Sequence, residues 1–195
     1  PLAVAISLPP TYPIYNDNGE YDQSGPYANP VPIIKEATNV ANSFRSLGNV
    51  FFDYEIIEGL MFKTNWGYDF YLLNEHSYDP PTTRQGAQTH GMGFETYNQS
   101  SNFTTNNVLN YTKSFGDHNL NATGGYSYEN QVYKSSYIMA VEFPHEYLEY
   151  IASASTIQDA SASYFENRTN SFFGRFKYNN KYKDLFTLTG RYNGS

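Results

Sequence analysis

Three glutamates in one segment are the first candidates for chemistry. Glu142, Glu146 and Glu149 lie in EFPHEYLEYIASAS, where Pro144 can open a short helix. Two carboxyl groups hydrolyse a glycosidic bond when they are held about 5 to 10 Å apart across a cleft. Helical spacing instead predicts that these carboxylates form the solvated face of a loop helix. We therefore predict no catalytic site and no enzyme activity.

Metal-binding patterns are equally weak. The four histidines show no H-x-x-x-H or related spacing, and the absence of Cys removes thiolate ligands and disulfides. The run NDNGEYD at 16–22 carries oxygen ligands suited to calcium, but it lacks the spacing of an EF-hand loop, so we expect a hairpin turn at Asn18-Gly19. Nucleotide-binding glycine motifs are also missing. The sequence predicts no metal and no cofactor.

Aromatic residues between the regular segments are the remaining candidates for binding. Such rings can stack on sugars or contact a partner protein, and they can equally hold loops against one another. We single out five as substrate-contact candidates: Tyr78, Phe94, Tyr97, Phe143 and Tyr147.

The composition favours β-structure and excludes several classes of protein. The 195 residues include 20 Tyr and 14 Phe, so much of the apolar content lies in rings. A net charge of −7 without a Lys/Arg run argues against nucleic-acid binding. No apolar stretch reaches the roughly 18 residues of a transmembrane helix. The chain begins without Met or a signal peptide, so we expect it to be part of a longer protein.

Alternation with a period of two predicts six strands. In LMFKTNWGYDFYLL, residues 60–73, one face carries Leu, Phe, Trp and Tyr while the other carries Lys, Asn, Gly and Asp. The other five segments cover about 43–56, 97–114, 119–133, 167–181 and 185 onward. The connections alternate between short and long, with extracellular loops expected at about 75–96 and 134–166 and a further loop region at 1–42. This alternation is typical of bacterial outer-membrane barrels.

Strand length and ring position support the same interpretation. The segments have about 14 to 17 residues, whereas soluble strands have about 5 or 6 and a tilted transmembrane strand about 9 to 11. Rings gather around the short turns, at the interfacial depth where Tyr is favoured: Tyr54, Phe62, Phe115, Tyr182 and Phe186. We expect the apolar face to meet outer-membrane lipid and the other face to line a watery lumen. The predicted lumen-facing residues are Lys63, Asn65, Asp69, Arg175, Lys177 and Arg191.

Nearly the whole chain resembles the barrel region of SusC/RagA-like TonB-dependent transporters. The matching runs are PPTYPIYNDNGEY, NP at 29–30, RSLGNVFFDYEIIEGLMFKTNWGYD, NYTKSFGDHNLNATGGYSYE and SFFGRFKYNNKYKDLFTLTGRYNGS. The most specific pieces lie at 111–129 and 173–195. One departure is Asn193, where the family usually carries Asp before Gly-Ser.

The resemblance implies an interior part of an antiparallel transmembrane β-barrel of about 22 strands with a plugged lumen. About six strands would lie in 43–195, while the plug, the TonB box and the closing strand would lie elsewhere. Such transporters import oligosaccharides or peptides with energy passed by TonB, under a SusD-like surface lipoprotein. We expect import of nutrient oligomers, with oligosaccharides as the favoured class.

Two alternatives stay open at this point. A soluble carbohydrate-binding β-sandwich would use exposed rings as a sugar platform, and it predicts strands of about 6 residues around a dense aliphatic core. A passive porin would share the barrel but would need no plug, so the part of the protein before this chain would decide.

Overall fold

The structure is a computed structural model that describes residues 2–181 and 183–194. Tyr182, one of the rings predicted near the short turns, lies outside these residues. No helix in the described ranges is both long enough and apolar enough to cross a membrane.

Six long strands form one sheet. They are β1 Thr38–Ile57, β2 Leu60–Asp79, β3 Met92–Phe115, β4 His118–Val141, β5 Thr156–Asn180 and β6 Asp184–Gly194. Each strand pairs with the next along the chain, in the order β1-β2-β3-β4-β5-β6. The all-β antiparallel fold predicted from the sequence is confirmed. A two-sheet sandwich is not supported, because the described strands belong to a single sheet with lengths of 11 to 25 residues.

The alternation of residue types produces two chemically different faces. Between β1 and β2, Arg45 pairs with Asp69 on one side of the sheet, while the rings of Phe44 and Phe70 lie 6.3 Å apart. Because neighbouring side chains in a strand point to opposite sides, residues 44 and 45 face opposite ways. We call these sides the polar face and the ring face.

The strands extend further than the hydrophobic pattern predicts. The connections span only 80–91 and 142–155, in place of the expected 75–96 and 134–166. Toward these connections both sides of the sheet carry polar residues; for example, the Thr96 hydroxyl donates to Glu75 at 2.9 Å. The alternation of apolar and polar residues is lost there, although the hydrogen bonds between the strands continue.

The segment before β1 has structure of its own. It contains helix α1 Leu2–Ser7 and helix α2 Pro30–Lys35, whose first turn is capped by the side chain of Asn29. The hairpin turn predicted at Asn18-Gly19 is confirmed by an antiparallel bridge between Tyr15 and Tyr21. β1 already begins at Thr38, inside the region expected to be a loop.

The helix expected after Pro144 does not form. Regular structure in this connection is limited to a 3₁₀ turn at Ile151–Ser153. The backbone N–H groups of Glu142 and Phe143 instead donate to the carbonyls of Thr89 and His90, at 3.0 and 2.9 Å. These hydrogen bonds fasten the connection to the end of a second connection, which contains helix α3 Arg84–Ala87.

The chain divides into two compact units, each described by itself. The loop unit comprises Pro1–Ser43, Leu72–Asn98 and Lys134–Ser163; the strand unit comprises Phe44–Tyr71, Gln99–Tyr133 and Tyr164–Ser195. In the loop unit a small core contains Tyr78, Ala140, Val141 and Phe143. In the strand unit the large apolar side chains are partly or largely exposed, which suits a sheet whose ring face meets lipid.

A glycine on the polar face makes room for a ring. The Phe173 side chain covers Gly125 so closely that a Cβ atom on Gly125 would overlap the ring, whereas a Cβ atom on Gly124 would meet nothing within 4 Å. A glycine inside a strand can thus leave space for a neighbouring ring.

We expect Gly125→Val to destabilise the full-length protein by about 1 to 3 kcal/mol, because the added atoms overpack the Phe173 ring. Gly124→Val is the matched control and should have little effect. The measurement is the temperature at which the detergent-solubilised protein loses its folded electrophoretic mobility. Equal losses in both variants would contradict the packing described here.

Candidate functional site

The polar face of the strand unit pairs its charges. Lys63 Nζ lies 2.8 Å from Asp53 Oδ2. Arg45 donates to Asp69 from Nε at 3.0 Å and from Nη2 at 2.8 Å, which is the bidentate geometry of a strong ion pair. Together the two ion pairs balance two of the predicted lumen-facing charges, those of Lys63 and Asp69.

A shallow hollow opens on the polar face at Gly67. Its volume is about 340 Å³, and it brings together two predicted residues, Asn65 and Asp69, with Asn102 and Thr104 of β3. A side chain at Gly67 would collide with the Thr104 hydroxyl, since a Cβ atom would lie 2.7 Å from it. The amide oxygens of Asn65 and Asn102 are buried and lack a hydrogen-bond partner within the described structure. Asn102 is not among the lumen-facing residues predicted from the sequence. Its even-numbered position in β3, next to Phe103 on the opposite side, did indicate the polar face.

The other three predicted lumen residues lie on the last two strands. Arg175 and Lys177 of β5 stand opposite Thr189 and Thr187 of β6, so they share one side of this strand pair. Arg191 stands opposite Phe173 on the same side. Its Nε donates to Asn193 at 2.8 Å, and its Nη2 donates to Ser171 at 3.4 Å. In the order of the sheet, β5 is three strands away from β2.

The five aromatic candidates of the loop unit fall into two groups. Tyr78 and Phe143 are only 1% and 6% exposed, and their rings meet edge to face at 4.9 Å. They occupy the small core and hold the connection 142–155 in place. This is the loop-packing role that the sequence analysis gave as the alternative to substrate contact. Tyr97 and Tyr147 are exposed at 40% and 79%, and Phe94 is half-buried beside Tyr137, a ring that sequence reasoning missed.

Two of the three glutamates of the connection accept hydrogen bonds. Glu142 accepts from Thr156 and Glu149 accepts from Thr38, both at 2.6 Å. Glu146 and Glu149 share a cleft of about 310 Å³ with Glu36 and Tyr147. In the ranges 2–181 and 183–194 no three His, Asp or Glu side chains are grouped so as to hold a metal ion.

Arg84 ties the segment before β1 to helix α3. Its guanidinium donates to the carbonyls of Gln23 at 2.8 Å, Gly25 at 2.5 Å and Pro26 at 3.3 Å. Gln23 in turn donates to the carbonyl of Thr82 at 3.0 Å. These contacts fix one wall of a second cleft, of about 480 Å³, whose lining residues are Gly19, Glu20, Tyr21, Gln23, Pro81 and Thr82.

The same segment carries two perturbed acids. A hydrogen bond to Glu36, followed by burial, raises the pKa of Tyr21 to about 12, so this phenol stays neutral. Hydrogen bonds from Ser24 hold the pKa of Asp22 below its usual range, so this carboxyl stays charged. Each group therefore keeps one protonation state near neutral pH.

A third cleft, of about 330 Å³, lies at the ends of the strands toward the connections. It is lined by Asn42, Asn74, Glu75, His76, Glu95, Thr96, Tyr97, Ser136 and Ile138. His76 stacks on Tyr150 at 5.2 Å, and its Nδ1 lies 3.6 Å from a carboxylate oxygen of Glu95. Tyr97 is thus the candidate ring that this cleft exposes.

Curated relatives match the chain from end to end. TonB-dependent receptor P3 of Formosa agariphila is 31% identical over 203 residues, which cover 100% of this chain and 20% of that protein. TonB-dependent receptor P26 of the same organism is 27% identical over 205 residues, covering 98% of this chain and 20% of the relative. The chain therefore spans about a fifth of the length of these relatives. No family model matches the chain.

Solved structures share the fold. The RagAB peptide transporter superposes with a TM-score of 0.74 at 18% identity, over 98% of this chain and 22% of that chain. The RagAB peptide importer in its closed-closed state gives a TM-score of 0.76 at 19% identity, over 97% and 22% of the two chains. Together with the curated relatives, this fold confirms the predicted resemblance and the outer-membrane location.

Opposite faces of β2 should differ in their tolerance of charge. We expect Trp66→Lys to reduce assembly of the full-length protein in the outer membrane, because a lysine facing lipid costs up to about 2 to 4 kcal/mol, depending on its depth. Asn65→Lys, one residue away on the polar face, should assemble normally. The measurement is the amount of heat-modifiable protein in outer-membrane preparations, and equal assembly of both variants would contradict the assignment of the faces.

Arg84 should control the order of the segment before β1. We expect Arg84→Ala to make residues 8–29 much more sensitive to protease added to intact cells, since three hydrogen bonds from a charged donor are lost. Gln85→Ala, at an exposed neighbouring position in helix α3, is the control. Unchanged cleavage in Arg84→Ala would show that the segment is held by other contacts.

Proposed function

We propose that this chain, which has the sequence and fold of a barrel segment of a SusC/RagA-like TonB-dependent transporter, contributes to active import of nutrient oligomers across the bacterial outer membrane. The observation that carries the proposal is the division of one long-stranded sheet into a ring face and a hydrogen-bonding polar face. In a transporter the ring face contacts lipid, and the polar face lines the path of a hydrated solute. No chemical step is assigned to the chain.

The polar face suits a solute that binds through hydrogen bonds. Two of its cations are already paired with carboxylates, as in Arg45 with Asp69 and Lys63 with Asp53. The hollow at Gly67 adds amide and hydroxyl groups, which can donate and accept. We propose oligosaccharides as the substrate class. The second candidate is peptides, because the solved neighbours are named as a peptide transporter and importer.

Partners are proposed for the complete protein. TonB would supply energy through a part of the complete protein outside this chain, and a SusD-like lipoprotein would cover the connections. The most exposed rings of the 142–155 connection, Tyr147 at 79% and Tyr150 at 70%, support a contact surface there. We therefore assign Tyr147 to capture of substrate or to contact with the lipoprotein lid.

We expect uptake of the matching oligosaccharide by cells that express the full-length protein to stop when TonB is deleted, while binding at the cell surface persists. The measurement is accumulation of labelled oligosaccharide. Continued uptake without TonB would instead identify a passive porin.

The polar face is tested in the same cells. The double variant Asn65→Leu, Asn102→Leu should lower uptake several-fold, because the hollow loses its amide groups. Trp66→Leu, on the neighbouring ring face, should leave uptake unchanged. If neither variant affects uptake, the hollow is not part of the solute path.

A further inference from the structure

A band of side chains crosses four strands of the loop unit, and the proposed function leaves its role open. The ring of Phe94 on β3 lies 6.3 Å from the ring of Tyr137 on β4, with 26° between the planes. The Tyr137 hydroxyl lies 3.4 Å from Asp159 Oδ2 on β5. At the other end, Thr96 donates to Glu75 of β2 at 2.9 Å. We call these five residues the aromatic band.

Alternation places the band on one side of the sheet. Phe94 and Thr96 are even-numbered neighbours on β3, whereas Glu95 and Tyr97 between and after them point to the opposite side. A further contact, between the hydroxyls of Ser135 and Ser163 at 2.7 Å, continues the band along β4 and β5. Glu75 and Asp159 are exposed, and both rings are half-buried, so the band is open to a ligand.

Formal charge is distributed unevenly around the band. The loop unit holds 11 of the 19 acidic residues of the chain but only 3 of its 12 basic residues. One of the three, Arg84, is engaged with backbone carbonyls. The band itself contributes two formal negative charges, on Glu75 and Asp159. A polyanionic ligand would therefore be repelled by these two carboxylates.

We propose that the aromatic band is a subsite for an uncharged oligosaccharide. The two rings offer flat apolar surfaces to the C–H side of a sugar, and the flanking carboxylates accept hydrogen bonds from its hydroxyl groups. This assignment rests on the proposed import function and narrows its substrate class to neutral glycans. Phe94 was singled out from the sequence, whereas Tyr137 and Asp159 join it through the fold.

The balance of donors and acceptors favours sugar over peptide. A bound peptide backbone presents carbonyl groups that need donors. The band offers several acceptors, while its donors are hydroxyl groups that already contact other side chains. A sugar hydroxyl can donate to a carboxylate and still accept elsewhere, so it leaves fewer groups unpaired.

The experiment measures binding to the purified full-length transporter in detergent by calorimetry. The probes are neutral hexose and pentose oligosaccharides, their uronic-acid and sulfated counterparts, and a set of peptides of similar length. We expect a neutral oligosaccharide to bind, and Phe94→Ala and Tyr137→Ala each to weaken it by about tenfold. Tyr164→Ala, an exposed ring elsewhere on β5, is the control and should bind normally.

A second pair of variants tests the charge. The double variant Glu75→Gln, Asp159→Asn should weaken binding of the neutral glycan. It should also reduce the difference in affinity between this glycan and its uronic-acid counterpart. The proposal is overturned if both ring variants bind the neutral glycan as the parent protein does, or if the parent protein prefers anionic glycans or peptides.

Failure of the subsite and failure of the import function are distinguishable. If TonB-dependent uptake of neutral glycan persists in Phe94→Ala and Tyr137→Ala cells with unchanged affinity, only the subsite is wrong. If the parent protein imports no glycan at all, both the substrate class and the subsite fail. Folded mobility on electrophoresis confirms that each variant protein has assembled.

Discussion

Pairing of the backbone in hydrocarbon is the constraint on which the rest of this structure depends. A strand that crosses a bilayer has no water to satisfy its N–H and C=O groups, so each must bond to a neighbouring strand. The six strands meet this demand by pairing in sequence order. Side chains are then free to differ on the two sides, and the sequence uses this freedom by placing rings on one side and amides or ion pairs on the other.

On the polar side of the sheet, charged side chains are paired with each other. Arg45 with Asp69 and Lys63 with Asp53 form pairs across the first two strands, so their fields largely cancel. The amide oxygens of Asn65 and Asn102, in contrast, have no hydrogen-bond partner within the described structure. Such a surface offers hydroxyl and amide groups while its charges are balanced, and this supports the neutral oligomers proposed above as cargo.

Much of the sheet could be predicted from the sequence, because lipid on one side and water on the other impose a period of two. Lys63, Asn65 and Asp69 were assigned to one face for this reason, and their contacts place them there. The prediction failed beyond about residue 73. Both sides of the sheet carry polar residues there, so the alternation of apolar and polar residues no longer marks the strand. The helix expected after Pro144 failed for another reason: hydrogen bonds from Glu142 and Phe143 to residues 89 and 90 are contacts between distant segments. The partnership of Phe94 with Tyr137 likewise depends on strand register, which one sequence does not reveal.

The fastening of the 142–155 connection to residues 89 and 90 has an evolutionary consequence. The two connections are held together by three kinds of contact. These are the backbone hydrogen bonds, the Tyr78–Phe143 contact and the tight fit of Phe143 over Gly91 and Gly93. Exchanging either connection alone with that of a relative would leave the other without its anchor. New nutrient preferences should therefore spread among such proteins by joint replacement of both connections.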